Sequence, residues 1–382
     1  MALVLSEEQE ILKRTAREFV SGRSSLKRVR ALRDDREGEG FDAALWAEMA
    51  GLGWLGIVIP EAYGGLELGF TEQMVVLEEL GRGLCPEPIV GTVLLGAMAV
   101  LLGGSEGQKE AILPAVVAGE RFLALGYQEP GSRYDPTRVA TRAERAGSGW
   151  RLTGEKLGVV DGQAADHVIV SARTDGEVDD AGGITLFLVR SDAPGVTLER
   201  QHRIDGRGAA RLVLESVTVS SDALLGTEGT GAAVLGRVLD RATIGLTAEM
   251  LGSMCVAFET TLDYLKTREQ FGRPIGAFQA LKHRAARLFI ETELARSIVM
   301  EAHAALDRGA DDAEIARLAS AAKTRCSDAF MLIGNEAVQM HGGIGMTDEH
   351  DIGLFLKRAR AAEIQFGDAA YHRDRVATLD GY

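Results

Sequence analysis

Apolar residues recur every three to four positions through most of this 382-residue chain, and the period shortens only in one interior stretch. Ser6-Glu7-Glu8-Gln9 reads as a capping box, followed by Ile11, Leu12, Ala16, Phe19 and Val20 at helical spacing. A second helix is predicted over 41–52. A glycine-rich stretch from Gly51 to Gly69 follows, then helical patterns over 71–81, 88–102 and 106–118. From about Phe122 the runs 167–172, 184–189 and 211–219 are β-branched or alternating. Turn pairs such as Gly131-Ser132, Asp161-Gly162, Gly182-Gly183, Pro194-Gly195 and Asp205-Gly206 separate them. This predicts a compact antiparallel β domain. After Gly231 the helical period returns and stays. Leu235, Leu239, Ala242, Leu246, Met250, Met254, Phe258, Leu262 and Leu265 mark one very long helix. Further helices are predicted over 278–306, 312–340, 352–363 and 369–379. Long amphipathic helices in succession predict a helical bundle.

Composition narrows the function. Acidic residues outnumber basic ones 56 to 42, and there is no long basic run, so a nucleic-acid or anionic-membrane surface is not expected. The apolar stretch Ile89–Leu102 is too short to span a bilayer, and the N-terminus shows no basic region leading into an apolar one. Cys85, Cys255 and Cys326 are single and widely spaced, which fits buried thiols in a reducing cytoplasm. No HExxH, His/Cys cluster or GxSxG elbow is present, so no metal site or serine nucleophile is expected. Gly229-Thr230-Gly231-Ala232-Ala233-Val234 loosely suggests a dinucleotide fingerprint. The final glycine is missing and the preceding strand lies too far upstream, so a domain linker is the better reading.

Two motifs are more specific. Arg268-Glu269-Gln270-Phe271-Gly272-Arg273-Pro274-Ile275-Gly276-Ala277-Phe278-Gln279 joins the first two long helices, and Gln339-Met340-His341-Gly342-Gly343-Ile344-Gly345 ends the third. Glycine lets backbone amides approach an anion, and arginine supplies a fixed fork of donors suited to phosphate. Taken together these segments resemble the C-terminal signatures of the FAD-dependent acyl-CoA dehydrogenases. Gly53-Trp54-Leu55-Gly56 through Pro60-Glu61-Ala62-Tyr63-Gly64-Gly65 resembles that family's N-terminal signature. The segment from Ala210 to Gly226 resembles the end of its middle domain. The resemblance implies an N-terminal all-α domain (1–121), a middle antiparallel β-barrel (122–230) and a C-terminal four-helix bundle (231–382). It also implies FAD as cofactor, an acyl-CoA substrate desaturated at Cα–Cβ, and an electron-transfer flavoprotein as acceptor. Arg268, Phe271, Gln279, Gln339, Gly342, Gly343 and Gly345 are the residues it assigns to the ADP half of FAD.

The chain departs from the family at the other half of the site. Where the family carries its catalytic glutamate, the segment Glu363-Ile364-Gln365-Phe366-Gly367-Asp368 places Phe366, and Asp368 replaces a threonine that faces the FAD diphosphate. At the alternative base position on the first bundle helix stand Ala242 and Thr243. The flavin-facing segments become Gln128-Glu129-Pro130-Gly131-Ser132-Arg133-Tyr134-Asp135 and Lys156-Leu157-Gly158-Val159-Val160, without the family's tryptophan. In the family each FAD lies at a subunit interface, and this chain keeps one subunit's contribution while losing the other's. The variant segments also resemble the small subunit of pimeloyl-CoA-type heteromeric dehydrogenases. The leading expectation is therefore one subunit of a heterotetramer. A self-sufficient homo-oligomer with Asp368 or Glu249 as a relocated base, and a non-catalytic binding or structural member, remain as alternatives.

Overall fold

The computed structural model describes residues 4–382, which pack as two compact units that cut across chain order. The first unit gathers residues through Ala31, Gly69–Cys85 and Thr243–Tyr382. It contains α1 (Glu7–Arg23), opened by the predicted capping box of Ser6 and Gln9, and much of α2 (Leu26–Asp34), which the periodicity did not indicate. The next helix of this unit is α4 (Phe70–Arg82), numbered after α3 (Ala43–Gly51) of the second unit. The bundle follows: most of α7 (Gly231–Thr267), then α8 (Gln279–Asp307), α9 (Asp312–His341), α10 (Ile352–Ile364) and α11 (Ala369–Leu379). Ile244, Ala302, Ala305, Leu318, Ala319 and Ala322 form one of its apolar cores. Small residues let α4 and α7 touch backbone to backbone. A Cβ at Gly252 would lie 1.8 Å from the Glu78 carbonyl oxygen, and one at Gly81 would lie 2.1 Å from that of Glu249. The Ser253 hydroxyl completes the crossing by donating to the Gly81 carbonyl at 2.8 Å.

The second unit comprises Leu32–Leu68 and Pro86–Ala242. Besides α3 it holds a π-helical stretch (Val90–Ala97) running into α5 (Met98–Gly103), then α6 (Glu106–Val117). Its sheet is built from β1 (Leu123–Gly126), β2 (Arg142–Ala146), β3 (Gly149–Val160), β4 (His167–Arg173), β5 (Ile184–Arg190), β6 (Val196–Arg200), β7 (Ala209–Val219) and β8 (Leu224–Leu225).

The expected β domain is present, but its sheet is open rather than a closed barrel. The strand order β6-β7-β3-β2-β4-β5-β8 leaves two ends open, and β1 lies parallel to β4. Both ends are protected: β6 is short, half-exposed and ends in Glu199-Arg200, and β8 is two residues long. β4 is buried along almost its whole length, which fits the apolar run Val168-Ile169-Val170 at its centre. The pairing of β3 with β7 shifts register twice, beside Gly154 and before Val159, and so bends the sheet. Trp150 packs edge-on against Phe187 inside it.

Candidate functional site

The two glycine motifs meet at one end of the bundle. α7 runs out at Thr267, and its last carbonyls receive Arg268: the Arg268 N–H donates to the Tyr264 carbonyl at 2.8 Å. The chain then reverses in a two-residue hairpin, β9 (Glu269–Gln270) against β10 (Arg273–Pro274). Phe271 and Gly272 at its tip both have positive φ, 55° and 74°, the conformation a type I′ turn demands. For phenylalanine that backbone is unfavourable by about 1–2 kcal/mol. The same Phe271 side chain is 89% exposed, so the fold sets a large apolar group out in water at an unfavourable backbone angle. On the other side α9 ends in the buried His341, whose ring stacks on Tyr264 with centroids 4.5 Å apart. This stack draws the end of α7 to the end of α9.

Between them lies a cavity of about 660 Å³, whose wall includes Arg268, Gln270, Tyr264, His341, Gly342 and Gly343. The wall carries one guanidinium and no carboxylate. A Cβ at Gly342 or Gly343 would meet nothing within 4 Å, so the backbone there lies open to a ligand, although the Gly342 N–H itself is spent on the Gln339 carbonyl. At Gly345 a Cβ would sit 2.7 Å from the Val338 carbonyl oxygen, so the tight fold-back after α9 requires glycine. One arginine, exposed glycine backbone and stacked rings form a donor set that fits the phosphate-bearing half of a dinucleotide. Of the residues expected to bind cofactor, Arg268, Gly342 and Gly343 share this cavity. Phe271, Gln279, Gln339 and Gly345 lie off its wall: the first three are exposed and Gly345 is buried behind it.

Buried hydrogen bonds hold the segment before α11 in place. Phe366 is buried with φ 64°, and its carbonyl oxygen accepts from His372 Nε2 at 3.1 Å. Gly367 has φ 114°, and a Cβ there would lie 2.4 Å from the Tyr371 ring. Lys323 of α9 reaches the same segment from below, donating to the Glu363 and Gly367 carbonyls, each at 2.7 Å, and to Ser327 Oγ at 3.2 Å. Burial pulls this ammonium down to about 7.

Asp368 caps α11, accepting from the Tyr371 N–H at 2.9 Å. Glu249 is buried on α7 and pairs with Arg358 of α10 through bonds of 2.8 and 3.0 Å. Both candidates for a relocated base thus also hold helices in place.

In the second unit the variant segments fold on themselves. Glu129 is buried and accepts from Lys156 Nζ at 2.5 Å and from the Ala140 and Thr141 N–H groups. Burial pushes its carboxyl up, but Lys156 and these donors outweigh that and hold it below the usual range. Ser132 turns inward, its hydroxyl accepting from the Glu129 N–H at 2.8 Å. Gly158 has φ 58°, and a Cβ there would find only Gln128 Oε1, at 3.5 Å.

Three family models match nearly the whole chain: the acyl-CoA dehydrogenase N-terminal domain over 6–120, the middle domain over 124–217 and the C-terminal domain over 229–378. The chain belongs to the acyl-CoA dehydrogenase family. It is 32% identical over 380 residues to the mitochondrial isovaleryl-CoA dehydrogenase of Pongo abelii, covering 97% of this chain and 88% of that one. Among solved structures it resembles a variant of the Tcur3481-Tcur3483 steroid ACAD (34% identity, TM-score 0.87, 98% of each chain). It also resembles the ChsE4-ChsE5 complex from Mycobacterium tuberculosis (28% identity, TM-score 0.89, 100% of each chain). Among the described residues no helix is long and apolar enough to cross a membrane, and no cluster suited to a metal ion occurs.

Tyr264, Lys323 and His372 were not legible as site residues. Tyr264 lies on a helix face four residues before Arg268. Lys323 did leave a trace, because a lysine interrupts the apolar stripe Ala319, Ala322, Cys326.

Proposed function

We propose that this chain is the cofactor-clamping subunit of a heteromeric FAD-dependent acyl-CoA dehydrogenase, whose second subunit carries the catalytic glutamate and holds the flavin ring. The observation that carries this reading is a contrast within the bundle. The Arg268 cavity keeps a donor set for the ADP half, while Phe366 occupies the position of the base in a segment locked by Lys323 and His372. FAD, when bound, takes the hydrogen leaving Cβ of the acyl-CoA thioester as hydride. This chain's own work is binding and orientation. Arg268 offsets the diphosphate charge, and the Gly342-Gly343 backbone admits the adenosine end. Gln279, Gln339 and Gly345 shape the surrounding helix ends, and the displayed Phe271 packs against the neighbouring subunit. The base comes from that neighbour, and reducing equivalents leave to an electron-transfer flavoprotein.

Similarity to both solved two-name complexes supports the reading, and a steroid side-chain or fatty acyl thioester is the substrate class it suggests. So do Phe289, Ile290 and Leu294 of α8, which are about half exposed and offer an apolar face for a second subunit. The test is the FAD-to-protein ratio of the chain purified alone and after co-expression with a glutamate-bearing dehydrogenase encoded beside it. A colourless chain that becomes a yellow, acyl-CoA-oxidising complex is expected. One FAD per chain with turnover in isolation would favour the self-sufficient homo-oligomer. Absence of flavin from every assembly would favour a non-catalytic member.

A further inference from the structure

Arg268 and the Gly342-Gly343 backbone reach one cavity from different helices, α7 and α9. The backbone of Arg268 is held on both sides: its N–H donates to the Tyr264 carbonyl, and its carbonyl accepts from the Ile275 N–H, each at 2.8 Å. A Cβ at Gly276 would lie 2.8 Å from the Leu265 carbonyl oxygen, so the hairpin folds close against the last turn of α7. The backbone of Arg268 therefore goes where the end of α7 goes. The glycine segment is tied in the same way to the end of α9, through the Gly342 N–H on the Gln339 carbonyl and the close approach of Gly345 to Val338.

Tyr264 and His341 join these two ends, their ring planes 30° apart and their centroids 4.5 Å. His341 is itself pinned. Its Nδ1 lies 2.7 Å from the Ala337 carbonyl, which can only accept, so Nδ1 carries the proton. Burial pulls the imidazole below its ordinary range, outweighing the Ala337 bond, and the nearby His350 adds to the fall. The ring is therefore neutral at pH 7, and its buried Nε2 has no hydrogen-bond partner. What it offers Tyr264 is a flat, uncharged face. A third ring, His350, lies 4.4 Å from His341 with the planes at 54°. His350 Nδ1 accepts from the Ile352 N–H at 3.1 Å, and Arg30 of α2 grips the adjoining Asp351 at 2.9 and 3.0 Å. The stack is thus built from α7 and α9 and braced from α2 and α10.

We propose that Tyr264 and His341 are positioning residues of the cofactor clamp: their stack sets the spacing between Arg268 and the Gly342-Gly343 backbone before a diphosphate arrives. The inference rests on the reading of this cavity as the seat of the ADP half. A diphosphate gains most from donors already in place, because the apparent affinity falls with the fraction of molecules whose clamp ends are apart. Neither ring has to touch the ligand for this, and Arg268 remains the group that meets phosphate.

The test is calorimetric titration of ADP into the full chain at low salt, for the unaltered protein, Tyr264→Ala, His341→Ala, Arg268→Ala and the Tyr264→Ala/Arg268→Ala double variant. Tyr264→Ala and His341→Ala are each expected to weaken ADP about two- to ten-fold, the worth of an aromatic pair. In the double variant the loss should fall short of the product of the two separate losses by about two-fold or more, since an arginine on a displaced helix end contributes less. Tyr264→Phe and His341→Phe keep a ring at each position and should bind ADP within about two-fold of the unaltered chain. Tyr264 is half-buried at a helix end, so its alanine variant is expected to fold; Tyr264→Leu, which keeps apolar bulk without a ring, is the companion. If either phenylalanine variant loses as much as its alanine counterpart, the polar atoms contact the ligand and the positioning role is overturned. Strictly multiplicative losses overturn it as well. ADP binding that falls in Arg268→Ala but is indifferent to Tyr264→Ala and Tyr264→Leu removes this proposal and leaves the clamp reading standing. Binding indifferent to Arg268 too, or absent at millimolar ADP, removes the clamp reading and the proposal with it.

Discussion

The Arg358 guanidinium grips the Glu249 carboxylate through two hydrogen bonds, with both side chains only 4% exposed. The pair ties α7 to α10. Removing one partner of such a buried pair costs about 3–5 kcal/mol, because the remaining charge stays in an apolar setting. Glu249→Ala is therefore expected to lower the chemical-denaturation midpoint sharply. In an assembled enzyme that still folds with Glu249→Gln, acyl-CoA turnover should persist. Loss of turnover with stability intact would instead return Glu249 to the role of base.

Asp368 offers a second separation of roles. As the cap of α11 it is expected to tolerate asparagine with little change and to lose about 1 kcal/mol on Asp368→Ala. Denaturant titration of the two variants gives this order directly. A base would show the opposite pattern, with asparagine as inactive as alanine.

Arg268 is exposed, so Arg268→Ala should leave the thermal midpoint of the chain almost unchanged. In the assembled complex the same substitution should weaken FAD retention about ten-fold or more, read as flavin released on dilution. Unchanged flavin content would remove Arg268 from the clamp.

Two buried histidines give the chain an acid-sensitive fold. Burial holds His303 down to about 4 and His372 down to about 3, against 6.5 for an open imidazole. His372 is neutral between Ser320 and the Phe366 carbonyl, and His303 Nδ1 is engaged by the Val299 carbonyl. Below pH 6.5 the unfolded chain takes up protons that the native chain refuses, so stability present above 6.5 is lost as pH falls toward 4 and then 3. The urea midpoint should drop steadily between pH 7 and 5, and His372→Gln should flatten that slope. A midpoint constant over this range would contradict the neutral assignment.

Lys323 follows the same linkage at higher pH. Its ammonium is held down to about 7 in the folded chain, mainly by burial, while the unfolded lysine keeps its proton to about 10.5. Between those values the unfolded state binds more protons, so this group makes the fold more stable as pH rises from 7. Lys323→Met should remove that rise and, by leaving the Glu363 and Gly367 carbonyls unpaired, cost about 1–3 kcal/mol for each at neutral pH.

Local chemistry determined much of this protein. Capping residues and the 3.6-residue period marked α1, α7, α8, α9, α10 and α11, because a helix side must stay apolar wherever it faces a core. The glycine motifs were legible because positive φ and close approach leave few other residues possible, as at Gly345 and Gly367. The family resemblance rested on those same segments. Pairing over long separations was decided only by the tertiary structure. β1 lies parallel to β4, and the sheet stays open, through contacts that alternation within a strand does not encode. Arg268 and Gly343 come together because Tyr264 stacks on His341, and an isolated aromatic gives no sign of its stacking partner. That Glu249 is half of a buried ion pair depended on Arg358, 109 residues away. Periodicity specifies which side of a segment is buried; the partner it is buried against is a property of the whole chain.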